Sequence, residues 1–320
     1  MRRWIGIAVI RILIVGVSIT SVAPRSFAQE VPPEKAIGPA QPPQVVIEAQ
    51  RQALRQRISS FVRTVTTQAG AYESLARWSV KVCPSTVGLP AQQNEFIAQR
   101  ILTIARSAGI PVGDMGCTPN LRVMITSDPA RLIKQMWSNN PGEFVDLSGQ
   151  RATATEVRRF MEAPHPVRVW YGVELVGAMG NELGQYSELP REDRAPKVNT
   201  FATMSRIQID DLQSIRSALV VVDKGSIIGR QLGAVADYVA LVGLAEVNLA
   251  ANYSSAESIL TLFTEPENGE PIAGLSTWDA AFLKALYATE PSGKLHVAAI
   301  VNRMMKDPAT APVTPAATPP

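Results

Sequence analysis

Few residues in this chain have the type and spacing that bond-making chemistry requires. Its 320 residues include two histidines, His165 and His296, and two cysteines, Cys83 and Cys117. A redox pair would be C-x-x-C, and a zinc site needs three or four ligands. The two cysteines are instead expected to pair as a structural disulfide, which stabilises by roughly 3–4 kcal/mol in the chain-entropy picture. His165, between Pro164 and Pro166, is expected to be an exposed turn residue. His296, near the last helix, is expected to be packed or solvated. Asp210 and Asp211 are a conceivable metal pair, but carboxylates in a turn more often bond backbone or water. Asp237 and Glu246 interrupt an apolar helix; nine positions turn it by about 900°, so they face nearly opposite ways and do not form one site. There is no G-x-S-x-G elbow and no P-loop. Gly225-Ser226-Ile227-Ile228-Gly229 is too sparse for a dinucleotide fingerprint, although it opens a helix where an anion can sit.

The element that must position any site is Ser217 to Phe263. SALVVV is a short apolar strand that stops at Asp223-Lys224-Gly225. A long helix is expected from Ser226 or Ile227 to about Leu249, apolar almost all round through Ile228, Leu232, Val235, Val239 and Val242. Gly229, Gly233 and Gly243 cost roughly 1 kcal/mol each in a helix interior, so close approach by another element is expected there. A turn or cap over Ser254–Ser258 leads into Ile259–Phe263, then come an amphipathic helix from Ser276 and a last short helix over Val297–Met305.

Upstream, Val45 to Val65 has helical spacing with a basic polar face. Trp78 to Val82 alternates as a strand ended by Cys83-Pro84. A helix from about Pro90 closes at Gly109, and Leu121–Thr126 is a second strand. Asp128-Pro129 starts another helix through Met136. The expected disulfide ties the end of the first strand to the start of the second. A short helix near Thr155–Met161 precedes an alternating strand over Pro166–Leu175. A long polar loop runs from Gly177 to Asn199, and Phe201–Ile209 and Ile215–Val222 read as strands joined by a hairpin at residues 210–214.

Arg2, Arg3 and Arg11, an apolar run to Ala23 and the small residues Ser26 and Ala28 form a secretory signal, with cleavage expected before Gln29. The chain carries 31 basic and 28 acidic side chains; removing the signal's four arginines leaves 27 against 28. Such a balance speaks against a nucleic-acid partner. Hydrophobic residues make up 46% of the chain, yet no later run is long enough to span a membrane. The expected organisation is a signal peptide over 1–28 and a Pro-rich spacer over 29–43. An N-terminal helix with a small α/β lobe follows over 44–140, a second lobe over 141–306 and a disordered tail over 307–320.

In order, strand, long loop, two strands, helix, Ser-Ile-x turn and helix resemble the catalytic half of zincin metallopeptidases, over roughly residues 165–290. In that family an edge strand precedes a helix bearing H-E-x-x-H, and metzincins carry a later methionine turn, often Ser-Ile-Met. Arg230-Gln231-Leu232-Gly233-Ala234-Val235-Ala236-Asp237 aligns with H-E-L-G-H-x-x-G, and Ser258-Ile259-Leu260 with the methionine turn. The chain also resembles secreted proteobacterial proteins of unknown function built on this pattern. Arg230 and Ala234 stand at the histidine positions and Gln231 at the general base, so H-E-x-x-H zinc hydrolysis is excluded by residue type. The resemblance therefore implies an α+β fold, a vestigial site at Arg230, Gln231, Ala234 and Asp237, and neither cofactor nor catalytic metal. The expected role is a periplasmic or secreted binding or scaffold protein with an envelope protein or ligand as partner. Two alternatives are a hydrolase using Asp210, Asp211, Asp237 or Glu246, and a peripheral membrane protein using Val45–Val65.

Overall fold

Strand β5 (Asp211–Asp223) carries the longest apolar run in the sheet, and both of its faces are covered. Ala218, Val220 and Val222 enter one hydrophobic cluster, and Leu219 and Val221 enter another. An unbroken SALVVV run is what burial on both faces demands. A computed structural model describes residues 44–66, 75–144, 151–177, 211–253, 257–264, 273–290 and 296–310. The expected signal peptide, spacer, strand 201–209, Asp210 and most of the loop at 177–199 lie outside the described residues, as does the tail from residue 311. The tail expected to be disordered from residue 307 begins later: Pro308–Thr310 form a 3₁₀ turn, and the buried Thr310 hydroxyl donates to Met304 O.

Four further strands surround β5. Strand β4 (Val167–Gly177) pairs with it antiparallel along nearly its whole length, from Val167 opposite Val222 to Gly177 opposite Asp211. On the other edge β3 (Leu121–Thr126) runs parallel to residues 218–223 of β5. Below it on that same edge, β1 (Arg77–Trp78) runs parallel to Ser214 and Ile215. Strand β2 (Pro84–Val87) lies outside β3, again parallel. Helices α1 (Gln44–Val65), α2 (Ala91–Ser107), α5 (Leu232–Leu244), α6 (Thr277–Ala288) and α7 (His296–Met304) feed the larger cluster on one face. Helices α3 (Pro129–Asn139) and α4 (Ala154–Glu162), with Phe144 and Trp170, cover the other. The expected mixture of helices and strands is present, around a mostly parallel sheet. Because β1, β3 and β4 all pair with β5, the boundary expected between residues 140 and 141 falls within one sheet.

Local signals place most helices as expected. Asp128 accepts from Arg131 N–H at 2.9 Å, with Pro129 in the first turn of α3. Thr153 with Glu156 and Ser276 with Asp279 form capping boxes for α4 and α6. Gly109, at φ 78°, follows α2 in the left-handed region that favours glycine. Cys83 and Cys117 are bonded, across a sequence separation of 34.

Three expectations are corrected. The strand expected over 78–82 shortens to Arg77–Trp78, and Pro84–Val87 is the strand instead. The chain leaves β5 after Trp78 because β3 occupies the rest of that edge, and it must step outward to reach β2. Pro84 is tolerated there, at the first residue of an edge strand. The disulfide consequently ties the start of β2, not the end of the first strand, to the loop before β3. The hairpin expected at 210–214 is strand from Asp211 on, because β4 and β1 both pair there; the register shift between Gly172 and Val173 absorbs the extra residue Arg216. The central helix spans Leu232–Leu244, not 226–249. Gly225–Ile227 is a 3₁₀ turn, Gly229 takes φ 79°, and Gln231 is extended, so the helix begins only after them.

The carboxyl end of α5 is buried, and its carbonyls need donors. Trp78 Nε1 donates to Gly243 O at 2.9 Å. Tyr171 Oη lies 2.6 Å from Val242 O and 2.9 Å from Ala245 O, and Tyr287 Oη donates to Leu244 O. These donors come from β1, β4 and α6. Tyr171→Phe keeps the ring and removes the hydroxyl, leaving buried carbonyls short of a donor. A loss of about 1–3 kcal/mol is expected in urea denaturation, with the m-value unchanged.

Candidate functional site

The carboxyl ends of parallel strands are where α/β sheets place ligands. Here β2, β3 and β5 end at Val87, Thr126 and Asp223. Lys224 binds across this rim, with its N–H on Thr126 O at 2.8 Å and Nζ on Gly88 O at 3.4 Å. Gly88 has φ 110°, and a Cβ there would overlap the Ile125 carbonyl, so β2 leaves the sheet in close contact with β3.

A closed circuit of contacts stands on the rim beside β5. Asp223 accepts from Gly225 N–H at 3.0 Å and Ser226 Oγ at 3.1 Å. Arg230 Nε donates to Ser226 O at 3.0 Å, and its guanidinium lies 5.0 Å over the Phe263 ring. Phe263 meets Tyr238 edge-on at 4.8 Å, and Tyr238 stacks on His165 at 6.2 Å and 15°. Asp223 N–H closes the circuit on Pro166 O at 2.9 Å. His165 is thus half-buried and packed, not an exposed turn residue. Its two flanking prolines hid this, because the stacking partner lies 73 positions away. The Val167 backbone engages its Nδ1, and Nε2 lies 3.4 Å from Tyr238 Oη. Burial, with Arg168 as a minor contributor, lowers the His165 pKa, while burial raises that of Tyr238 well above its ordinary value. At neutral pH both rings are uncharged. The circuit offers one exposed cation, Arg230, above an aromatic floor, with Ile228 standing 79% exposed beside it. Arginine is no practical acid or base, so this arrangement suits recognition of an anionic or planar group.

The four residues aligned with the zinc helix do not converge on one cleft. Arg230 and Gln231 precede α5 and are exposed. Ala234 and Asp237 lie inside the helix, each 2% exposed. Asp237 is held by Arg100 of α2 through both oxygens, with Nη2 to Oδ2 at 3.0 Å, and it accepts from Leu275 N–H at 2.7 Å. Glu246 lies past the end of α5; burial first, and Glu246 second, raise the Tyr171 pKa well above its ordinary value. Asp211 opens β5, and Asp210 lies outside the described residues. Among the described residues no group of three His, Cys, Asp or Glu side chains can hold a metal.

Two further polar centres, at Ser258 and at His296, the latter expected to be packed or solvated, have buried partners that local pattern did not reveal. Ser258 and Asp279 are fully buried and bonded at 2.6 Å, and Asp279 also accepts from Ile259 N–H at 2.8 Å and Ser276 N–H at 3.0 Å. Burial raises the Asp279 pKa and these hydrogen bonds oppose it. The Ser-Ile-Leu turn is therefore fastened to the start of α6. His296, fully buried, accepts Leu75 N–H on Nδ1 at 3.1 Å. Burial first, and Arg77 second, push its pKa down from 6.5 to about 4. Neither a family model, nor a curated protein, nor a solved structure matches this chain.

Two outcomes follow from these centres. Arg100→Met strands a buried carboxylate and is expected to cost about 2–3 kcal/mol, below the full buried-pair range because Arg100 is 41% exposed. Adding Asp237→Leu should return part of that loss in a double-mutant cycle. His296 makes the fold acid-labile, because the unfolded chain takes a proton near 6.5 that the folded chain refuses until about 4. Its contribution is complete above pH 6.5 and is lost as pH falls from 6.5 to about 4, with a slope up to about 1.4 kcal/mol per pH unit. Urea titrations across that interval should show the slope flatten in His296→Gln.

Proposed function

We propose that this chain is an exported binding or scaffold protein of the cell envelope, with a metallopeptidase-like core that no longer holds a metal. The order of elements supports the resemblance: an antiparallel edge strand, β4, then β5, the buried helix α5, the Ser258-Ile259-Leu260 turn and α6. The observation that carries the non-catalytic reading is the engagement of Asp237 by Arg100 and Leu275, beside an Ala234 that offers only a methyl group. The one carboxylate on that helix holds α2 and the segment before α6 in place. The Cys83–Cys117 bond is compatible with an oxidising compartment and so with export. No described helix is long and apolar enough to cross a membrane. In this reading the partner, an envelope protein or ligand, meets the rim around Arg230, where an exposed cation and an apolar side chain stand together.

Metal analysis of the purified protein, with a zinc titration followed by thermal denaturation, tests the core assignment. No stoichiometric zinc and no zinc-dependent rise in Tm are expected. Bound metal that disappears in Asp237→Ala would instead favour a carboxylate-based hydrolase. Cell fractionation tests the address: mature protein beginning at Gln29 is expected outside the cytoplasm, and an uncleaved cytoplasmic chain would refute export.

A further inference from the structure

The start of β1 gathers buried polar atoms that have no partner among the described residues. His296, Gln213 and Thr289 are 0%, 3% and 4% exposed. Among the described residues, His296 Nε2, Thr289 Oγ1 and both amide atoms of Gln213 have no hydrogen-bond partner. All three residues lie against the same short segment, Leu75–Arg77. Leu75 N–H donates to His296 Nδ1 at 3.1 Å, and Arg77 Nη1 donates to Thr289 O at 2.7 Å. Arg77 pairs in register with Ser214, which sets the neighbouring Gln213 beside Ala76. Buried polar groups in native proteins are almost always satisfied by protein or by a bound molecule, so four orphan atoms on three residues that meet Leu75–Arg77 call for a partner.

The chemistry of that place is donor-rich. His296 Nδ1 accepts a backbone N–H, so in the neutral ring Nε2 carries the proton and is a donor without an acceptor. Arg77 is partly buried, and burial lowers its pKa. Among the described residues it forms no ion pair with a carboxylate. The titratable groups acting on it are Tyr287 and Glu290, and the Tyr287 hydroxyl is already engaged with Leu244 O. The Thr289 hydroxyl and the Gln213 amide donate as readily as they accept. A water satisfies these donors; a small oxyanion satisfies them as well and adds to the partial compensation that Glu290 already gives Arg77.

We propose that this chain binds a small carboxylate, of formate or acetate size, at the start of β1, between the Arg77 guanidinium and His296 Nε2–H. Thr289 Oγ1 and the Gln213 amide complete its hydrogen bonds. The full burial of the surrounding side chains limits the ligand to a few atoms. Binding couples to the histidine, because an anion beside the ring favours its protonated form.

Formate and acetate, titrated against the purified chain at constant ionic strength with gluconate as the bulky balancing anion, test this. A saturable rise in Tm of about 5 °C is expected at a hundred-fold excess over Kd. In NMR titration the His296 proton affinity should rise at least ten-fold with formate present. Arg77→Gln and Thr289→Val should each weaken formate binding at least ten-fold. Thr289→Val retains the backbone carbonyl that Arg77 uses, so it remains informative if Arg77→Gln does not fold. No saturable effect of either anion, with His296 titrating unchanged, would mean that the cluster holds water only. Unchanged affinity in the variants would place the anion elsewhere, and either result overturns the proposal.

Discussion

A helix buried on every side depends on what meets its last carbonyls. From Ala234 to Leu244 every residue of α5 is buried, and its amino end opens toward the exposed Arg230 and Gln231. Its carboxyl end does not reach water, and each unpaired carbonyl there would cost what a lost hydrogen bond costs. Trp78, Tyr171 and Tyr287 supply the donors from three separate elements. The same three side chains therefore draw β1, β4 and α6 onto one helix end. Large aromatic residues suit the task because each buries a wide apolar ring and still carries one polar atom to a partner.

The consequences for the candidate site follow from that burial. A helix packed all round has no face left to line an open cleft. Gly243 lets Leu121 come close, with a Cβ there only 3.0 Å from Leu121 Cδ1. At the other end Asp237 turns toward α2 and is neutralised by Arg100. What remains accessible is the turn before α5, where Gly229 bends the chain and presents Ile228 and Arg230. The exposed chemistry thus lies at the mouth of the sheet, and the helix itself supplies support.

Helix starts were legible in the sequence where a capping side chain announces them, as at Asp128 and Ser276. These signals act over three residues, so no distant partner alters them. The α5 boundary was not legible, because Ile227 and Ile228 extend the apolar spacing while Gly229 breaks the backbone. The same limit hid the shift from 78–82 to 84–87: alternation marks extended chain, but only the position of β3 on the edge of β5 decides which extended residues pair. Residues 211–214, within the hairpin expected at 210–214, read as a turn between two strands. They are strand because β4 and β1 reach that far down.

By itself the sequence determined the pairing of its two cysteines, the apolar strand at SALVVV, and the exclusion of H-E-x-x-H chemistry at Arg230, Gln231 and Ala234. Each depends on residue type or on short-range pattern, which are properties of the chain before it folds. Tertiary structure alone decided that Asp237 meets Arg100 across 137 positions, that His165 stacks on Tyr238, and that Gln213, Thr289 and His296 surround one short segment. Hydrogen bonds and ring contacts act over a few ångströms. Which distant residues come within that range is set by how the helices pack on the sheet, and local pattern carries no trace of it.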